Sequence, residues 1–372
     1  MNILVCPNSY KGALDAASAA KAISAGLTAS NKNIKCTSIP IADGGDGSLP
    51  VIAKYLHTEE CFWEVEGPLG KLVDARFGWF EDGRFAVIEL AEASGIRLVE
   101  ELDPWGASSI GTGQLIKRAI QKGATRIYLT IGGSATVDGA LGLLHALGVK
   151  FLEKGVEIEN PKPSDFQRID DLDADEALEL LSYTKLTILC DVTNPLLGDK
   201  GAVAIFGPQK GLKDKGVVWF EKSFKAFANL IETKFGRHIH DVKYGGAAGG
   251  IAAVLYGVFG AELVHGGEQI LEWANFNQHL SKADVVITGE GRIDSQTNFG
   301  KGPGLVALKA KDAGKKVIGL SGAVALNPDH VDFFDVIIPI TNGPCTLEEA
   351  MTSTSQNLER SGRELGKLLS LM

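Results

Sequence analysis

Residues 283–297 read Ala283-Asp-Val-Val-Ile-Thr-Gly-Glu-Gly-Arg-Ile-Asp-Ser-Gln-Thr297. The short apolar run from Val285 to Thr288 predicts a buried parallel strand. It stops at Gly289 and Gly291, which frame Glu290, and Arg292, Asp294 and Ser295 follow at once. The glycines let backbone N–H groups crowd around an anion. Carboxylates beside such a loop would repel that anion, so Glu290 and Asp294 imply a Mg²⁺ ion or a substrate hydroxyl. Because the arrangement recurs along the chain, it points to phosphate chemistry at the carboxyl ends of sheet strands.

Working outward, 372 residues exceed what one hydrophobic core usually organises, which predicts two domains. Many of the 45 glycines lie at the ends of apolar runs, as tight βα turns and close ligand approach require. The net charge is −9, with no basic stripe, so nucleic acid is not an expected partner. An anionic substrate must then be held by local donors rather than by the overall field. Residues 2–6 enter a strand directly, without a basic n-region or long apolar h-region, and no stretch approaches 18 uninterrupted apolar residues. A cytoplasmic protein without a membrane partner is expected. Five cysteines without a C-x-x-C pair argue against a disulfide framework or zinc ribbon, and Cys6 and Cys190 read as small core residues.

The fold class is α/β. Residues 2–6 read as a strand and 15–27 as an Ala-rich helix, joined by Pro7-Asn-Ser-Tyr-Lys-Gly12. A second strand at 35–40 leads into Asp43-Gly-Gly-Asp-Gly-Ser48 and a helix to about residue 57. This opening predicts a doubly wound sheet. Runs at 61–67, 72–80 and 84–90 alternate, carry aromatics and meet at Gly-bearing turns, which predicts antiparallel hairpins. A helix at 110–121, a strand at 126–131, a loop at 132–139 and a helix at 140–147 follow. Residues 160–173 read as a surface connection, 185–191 as a strand, 192–211 as a long loop without an element of its own, and 215–235 and 247–259 as helices. From 283 the opening style resumes, with a helix at 303–313, strands at 316–320 and 334–340, and a terminal helix from 347. Residues 1–60 and 283–372 are thus expected to form one domain, with 61–282 inserted as a second.

Four glycine-plus-carboxylate loops follow predicted strands, where open α/β sheets bind ligands. In Asp43-Gly-Gly-Asp-Gly-Ser48, Asp43 suits a substrate hydroxyl and the amides suit an anion. Helix capping by Asp46 or Ser48 is the plain alternative. Gly132-Gly-Ser-Ala-Thr-Val-Asp-Gly139 offers amides, two hydroxyls and a helix start, a phosphate cradle in which Asp138 is alternatively an N-cap. Asp191 ends a buried strand, where desolvation and a charge partner tune a base or metal ligand. Thr193 and Asn194 alternatively shape the turn before Pro195. Lys210 suits an anion or is a lone exposed lysine. The fourth loop is the opening stretch, with Glu290 and Asp294. No G-x-x-x-x-G-K-S/T loop, protein-kinase set or strict G-x-G-x-x-G is present. His238 and His240, with no third ligand nearby in the sequence, read as a surface pair.

The stretches 7–12, 40–48, 132–139, 190–197, 206–211, 245–250 and 288–297, with Gly300-Lys301, are similar to those of the bacterial glycerate kinase family (type 1), in the family's order and over essentially the whole chain. The resemblance implies ATP-dependent phosphorylation of D-glycerate, leaning towards 2-phosphoglycerate, with Mg²⁺ as helper ion. It also implies a flavodoxin-like doubly wound domain formed by both chain ends, an inserted second α/β domain, and an active-site cleft between them. Asn8 stands where the family commonly has aspartate, Asp46 replaces glutamate, Ser48 threonine, Val137 asparagine and Ala140 glycine.

On that reading, Gly132, Gly133, Ser134, Thr136 and Asp138 hold ATP phosphates. Asp191, or alternatively Asp43, accepts the glycerate hydroxyl proton. Glu290 or Asp294 holds Mg²⁺. Lys11, Lys210, Arg292 or Lys301 grips the glycerate carboxylate and the developing γ-phosphate charge. Ser9, Gly44, Gly45, Asp46, Asn194, Gly289 and Gly291 complete the expected substrate- and phosphate-binding set. D-glycerate is the expected small-molecule partner, and the protein a monomer or homodimer. A non-catalytic or altered-specificity binding relative and a nicotinamide-dependent oxidoreductase are the alternative classes.

Overall fold

Runs of aliphatic and β-branched residues supply the strands. In chain order these are β1 (Asn2–Pro7), β2 (Lys35–Ser38), β3 (Glu59–Glu66), β4 (Leu72–Phe80), β5 (Phe85–Glu89), β6 (Arg126–Thr130), β7 (Lys150–Glu153), β8 (Val156–Glu157), β9 (Asp171–Asp173), β10 (Lys185–Cys190), β11 (Glu262–His265), β12 (Val285–Ile293), β13 (Lys316–Val324) and β14 (Val336–Pro339). The computed structural model describes residues 1–294, 302–325 and 333–371. Two compact units divide the chain. The first comprises Met1–Asp43, Pro50–Tyr55 and Gly267–Met372, and the second Gly44–Leu49 with Leu56–Gly266.

The first unit holds a parallel sheet of order β14-β13-β12-β1-β2. Side chains alternate across β1, so Ile3 and Val5 join one core layer while Leu4 and Cys6 join another. Ile23, Leu27, Leu358 and Leu365 complete the first layer, from helices Ala16–Ser30 and Thr354–Leu369. Leu280, Val306 and Ala310 belong to the second, from helices Phe276–Lys282 and Gly302–Asp312. Asp15 starts its helix by accepting the Ser18 N–H at 2.8 Å. That helix packs against the last one without room for side chains. A Cβ on Gly26 would sit 2.0 Å from the Glu359 carbonyl oxygen, and one on Gly362 2.4 Å from that of Ile23.

In the second unit the six-stranded sheet runs β11-β10-β6-β5-β4-β3; its first four members are parallel, and β4 and β3 antiparallel. A separate antiparallel sheet has the order β8-β7-β9. Phe220, Phe224 and Phe227, on one face of helix Asp214–Phe235, surround Phe166 edge-on at 5.1–6.3 Å. The mixed α/β class expected from the sequence is what forms.

Four local expectations need correction. Residues 192–211 are not element-free, because Ala202–Phe206 is a helix and Pro208–Lys210 a 3₁₀ turn, each too short to show a period. The connection at 160–173 contains the 3₁₀ segment Pro163–Arg168 and β9, anchored by buried Phe166. The helix expected at 247–259 is regular only over Ile251–Phe259, since Ala248, Gly249 and Gly250 have φ of 53°, 66° and 91°. Residues 262–282, unassigned from the sequence, form β11 and helices Gly266–Trp273 and Phe276–Lys282. All five cysteines are free, and among the described residues no helix is long and apolar enough to cross a membrane.

Gly26→Ala is expected to destabilise the protein by about 1–3 kcal/mol, because the new methyl group meets backbone rather than a movable side chain. Urea unfolding measures it, and an unchanged midpoint would mean the two helices do not pack this closely.

Candidate phosphate-binding site

β5, β6 and β10 lie side by side and parallel, so Glu89, Thr130 and Cys190 end at one edge of the second unit's sheet. Such edges are where α/β sheets bind ligands. The loop leaving β6 crosses the 44–48 loop at backbone distance. The Gly132 N–H donates to the Gly44 carbonyl at 3.2 Å, and a Cβ on Gly132 would lie 2.3 Å from the Gly45 Cα and 3.1 Å from Asp191 Oδ2. A Cβ on Gly133 would fall 3.1 Å from that of Asp46. Within this unit, then, Gly44, Gly45, Asp46, Gly132, Gly133 and half-buried Asp191 come together.

Lys210 joins them from the Pro208–Lys210 turn. It is 3% exposed, so the alternative of an exposed lysine is incorrect; the short turn folds its stem inward. Its ammonium donates to the Thr136 carbonyl at 2.7 Å and to Ser134 Oγ at 3.3 Å. Burial pulls its pKa down to about 8, while the Asp138 and Asp191 charges act in the opposite direction. Ser134 Oγ also accepts the Thr136 N–H at 3.0 Å, which fixes the loop around the cation.

Asp138 is held next to this cluster by other partners. Its Oδ2 accepts from the Ser109 N–H at 2.8 Å, the Ser109 hydroxyl at 2.6 Å and the Gly142 N–H at 3.3 Å, and burial raises its pKa against those bonds. It therefore anchors the start of helix Leu141–Ala146, and Ser109, which also accepts the Leu143 N–H, was not foreseen. Val137 is buried in the apolar core, and Ala140 sits at φ 65°, a left-handed conformation that glycine adopts more readily. Gly249 abuts this loop: its carbonyl accepts the Gly139 N–H at 3.1 Å, and a Cβ on it would be 2.3 Å from the Thr136 carbonyl oxygen. The Asn194 amide donates to the Lys200 carbonyl at 2.8 Å and shapes its own turn.

Glu89 is a further residue that sequence reading missed. It is buried, and it accepts the Gly47 N–H at 2.7 Å and the Leu49 N–H at 2.9 Å, holding the 44–48 loop at the start of helix Ser48–Tyr55. Burial, reinforced by Asp46, pushes its pKa up to about 7. Asp46 in turn lies 3.4 Å from Arg97, which pairs with Glu92 at 3.0 Å. The one available signal was an acid at the end of an apolar run.

The remaining expected residues belong to the first unit. Ser9 donates its N–H to Asn8 Oδ1 at 2.7 Å, while the Asn8 N–H reaches the Gly289 carbonyl at 2.8 Å. A Cβ on Gly291 would be 3.5 Å from the Lys11 backbone nitrogen, and one on Gly289 2.8 Å from the Tyr10 hydroxyl. Burial, with Glu290 next, raises the Tyr10 hydroxyl well above its usual range. Exposed Arg292 lies 3.5 Å from Asp294 Oδ2. Ser9, Lys11 and Asp294 thus follow β1 and β12, whereas Gly289, Glu290, Gly291 and Arg292, expected in a loop after residues 285–288, lie within β12, because pairing with β13 carries the strand on to Ile293. Asp43 is half-buried and also in this unit. Lys301 lies outside the described residues.

A buried ammonium, a half-buried carboxylate and closely packed glycine loops thus share the carboxyl end of the second unit's sheet. The sequence profile of the glycerate kinase family matches residues 3–370. A glycerate 2-kinase of Escherichia coli K12 is 39% identical over 377 residues, covering 100% of this chain and 98% of that one. Glycerate kinases of Halalkalibacterium halodurans and Bacillus subtilis are 38% and 37% identical, covering 98% and 100% of this chain and 97% and 98% of their own. A crystal structure described as glycerate kinase 2 from Salmonella typhimurium LT2 superposes with a TM-score of 0.85 at 37% identity, covering 100% of this chain and 98% of its own. Fold and relatives together define a kinase of the α/β class. The chain belongs to the glycerate kinase family.

Glu89 makes stability depend on pH. Its folded pKa of about 7 exceeds the ordinary 4.5, so the neutral form is favoured and the contribution is present below pH 4.5 and lost as pH rises through 7. At about 1.4 kcal/mol per tenfold in the proton equilibrium, that amounts to as much as roughly 3 kcal/mol. Unfolding midpoints of the wild type should fall more steeply than those of Glu89→Gln between pH 5 and 7. Parallel curves would rule the assignment out.

Proposed function

We propose that this chain transfers the γ-phosphoryl group of ATP to a hydroxyl of D-glycerate, releasing ADP and forming 2-phosphoglycerate. The observation that carries this reading is Lys210, a desolvated cation buried among the glycine-rich 132–139 loop and Asp191. The choice of the 2-position follows the name of the Escherichia coli relative.

Phosphoryl transfer asks mainly for positioning and neutralisation of spreading charge. The Gly133 amide and the hydroxyls of Ser134 and Thr136 hold the phosphates, Gly132 brings the loop up against Gly44, and Lys210 meets the charge that develops on the γ-phosphoryl oxygens. The attacking hydroxyl oxygen bonds to phosphorus as the bond to ADP breaks, and Asp191 takes the proton, with Asp43 the alternative base. In the first unit we assign Ser9, Lys11 and Arg292 to anion binding. Glu290 within β12 and Asp294 just after it suit a hard cation held through one or two protein oxygens, so they would hold Mg²⁺. When bound, that ion neutralises phosphate charge. The parallel order β2-β1-β12-β13-β14, with core layers on both faces of β1, supports a flavodoxin-like reading of this unit.

Asp191→Asn should lower kcat by at least about 10³-fold with ATP affinity retained, and substantial residual turnover would remove Asp191 from the role of base. Lys210→Ala should cost about 10²–10³-fold in kcat, as loss of a preorganised oxyanion donor does, and Lys210→Met should not restore it. The decisive assay is phosphorus NMR of the product from ATP, Mg²⁺ and D-glycerate. Absence of any phosphoglycerate would end the proposal.

A further inference from the structure

His238 and His240 are not a lone pair, because the fold brings a third ligand that the sequence separates from them. Glu232 lies in the last turn of helix Asp214–Phe235, and its Oε2 is 3.0 Å from His238 Nδ1 and 3.7 Å from His240 Nε2. One ligand atom from each of the three lies within 4.8 Å of the others. We propose that Glu232, His238 and His240 form a site for a first-row divalent cation of the zinc class, separate from the phosphate-binding loops.

Four observations support the site. First, the two Glu232 distances bracket the edge of about 3.3 Å expected between ligands of a tetrahedron with bonds near 2.0–2.1 Å. Second, His240 Nε2 is shielded from solvent and makes no hydrogen bond among the described residues, so an imidazole nitrogen faces the Glu232 carboxylate without a proton contact to satisfy it. Third, the outward nitrogen of His238, Nε2, lies 3.3 Å from Asp241 Oδ1. A carboxylate on the far nitrogen is the usual outer support of a metal-bound histidine, fixing its ring and its tautomer. Fourth, the charge around the site is negative. The carbonyl end of a 22-residue helix adds its dipole to Glu232 and Asp241, while the adjacent basic residues are engaged elsewhere. Lys234 pairs with Asp171 at 2.7 Å, and Arg237 donates to the Gly257 carbonyl at 3.0 Å.

Two imidazoles and one carboxylate favour zinc-class ions over Mg²⁺, which prefers oxygen ligands. Three protein ligands leave one tetrahedral position for water. The ion would tie residues 238–240 to the helix end. His240 carries that restraint onward, since its carbonyl accepts the Leu197 N–H at 3.1 Å, and the Gly246 N–H reaches the Asn194 carbonyl at 2.9 Å. The braced segment is the one that follows Asp191.

The test is calorimetric titration of the chelator-treated full chain with Zn²⁺, alongside the visible absorption of its Co²⁺ form. One equivalent of Zn²⁺ should bind, Mg²⁺ should not compete, and Co²⁺ should give the intense bands of a four-coordinate site. His240→Ala and Glu232→Gln should abolish that equivalent, Asp241→Asn should weaken it about tenfold, and His279→Ala should leave it unchanged. Circular dichroism establishes that each variant is folded, and the wild-type Co²⁺ spectrum stands without any variant. No saturable Zn²⁺ binding, octahedral Co²⁺ bands, or an equivalent surviving in folded His240→Ala would each overturn the proposal.

Discussion

An ammonium group removed from water governs the arrangement of the second unit's loops. Lys210 donates to the Thr136 carbonyl and the Ser134 hydroxyl, and the negative charges of Asp138 and Asp191 reduce what its desolvation costs. Everything nearby is shaped by the need to bring donors and acceptors that close. Gly132 must pass Gly45 at backbone distance, Gly249 must do the same at Thr136, and Ser134 must turn its hydroxyl inward.

Two buried carboxylates hold this arrangement from behind. Asp138 fixes Ser109 and the start of helix Leu141–Ala146, while Glu89 fixes the 44–48 loop through Gly47 and Leu49. Both have pKa values displaced upward by burial. Their contribution is preorganisation. Loops rich in glycine are entropically costly to order, and a buried acceptor shared by two amides reduces the motion left to freeze on binding.

Much of this was legible in the sequence, for identifiable reasons. The ends of β6 and β10 are marked by apolar runs stopping at glycine or acid, and residues 110–121 carry a clear helical period, whereas β12 continues past Gly289 because β13 pairs with it as far as Ile293. What was hidden depends on contacts distant along the chain. Glu89 looked like the last residue of a hairpin strand, since nothing local shows that Gly47 and Leu49 lie against it. Lys210 offered no sign of burial because its turn spans three residues. His238 lacked a third ligand only until helix Asp214–Phe235 placed Glu232 beside it. Val137, a departure from the family's usual letter in a polar loop, turns out to face the core.

The strand order of the first unit also governs how the protein can be made. β1 lies between β2 and β12, and its Ile3 pairs with Val285, far along the polypeptide. A nascent chain leaving the ribosome therefore carries an N-terminal strand whose partner is still untranslated. The second unit, largely contiguous from Leu56 to Gly266, can reach its native contacts first. Until β12 emerges, one edge of β1 stays open to unwanted strand pairing, so synthesis itself is the interval in which this enzyme is most exposed to aggregation.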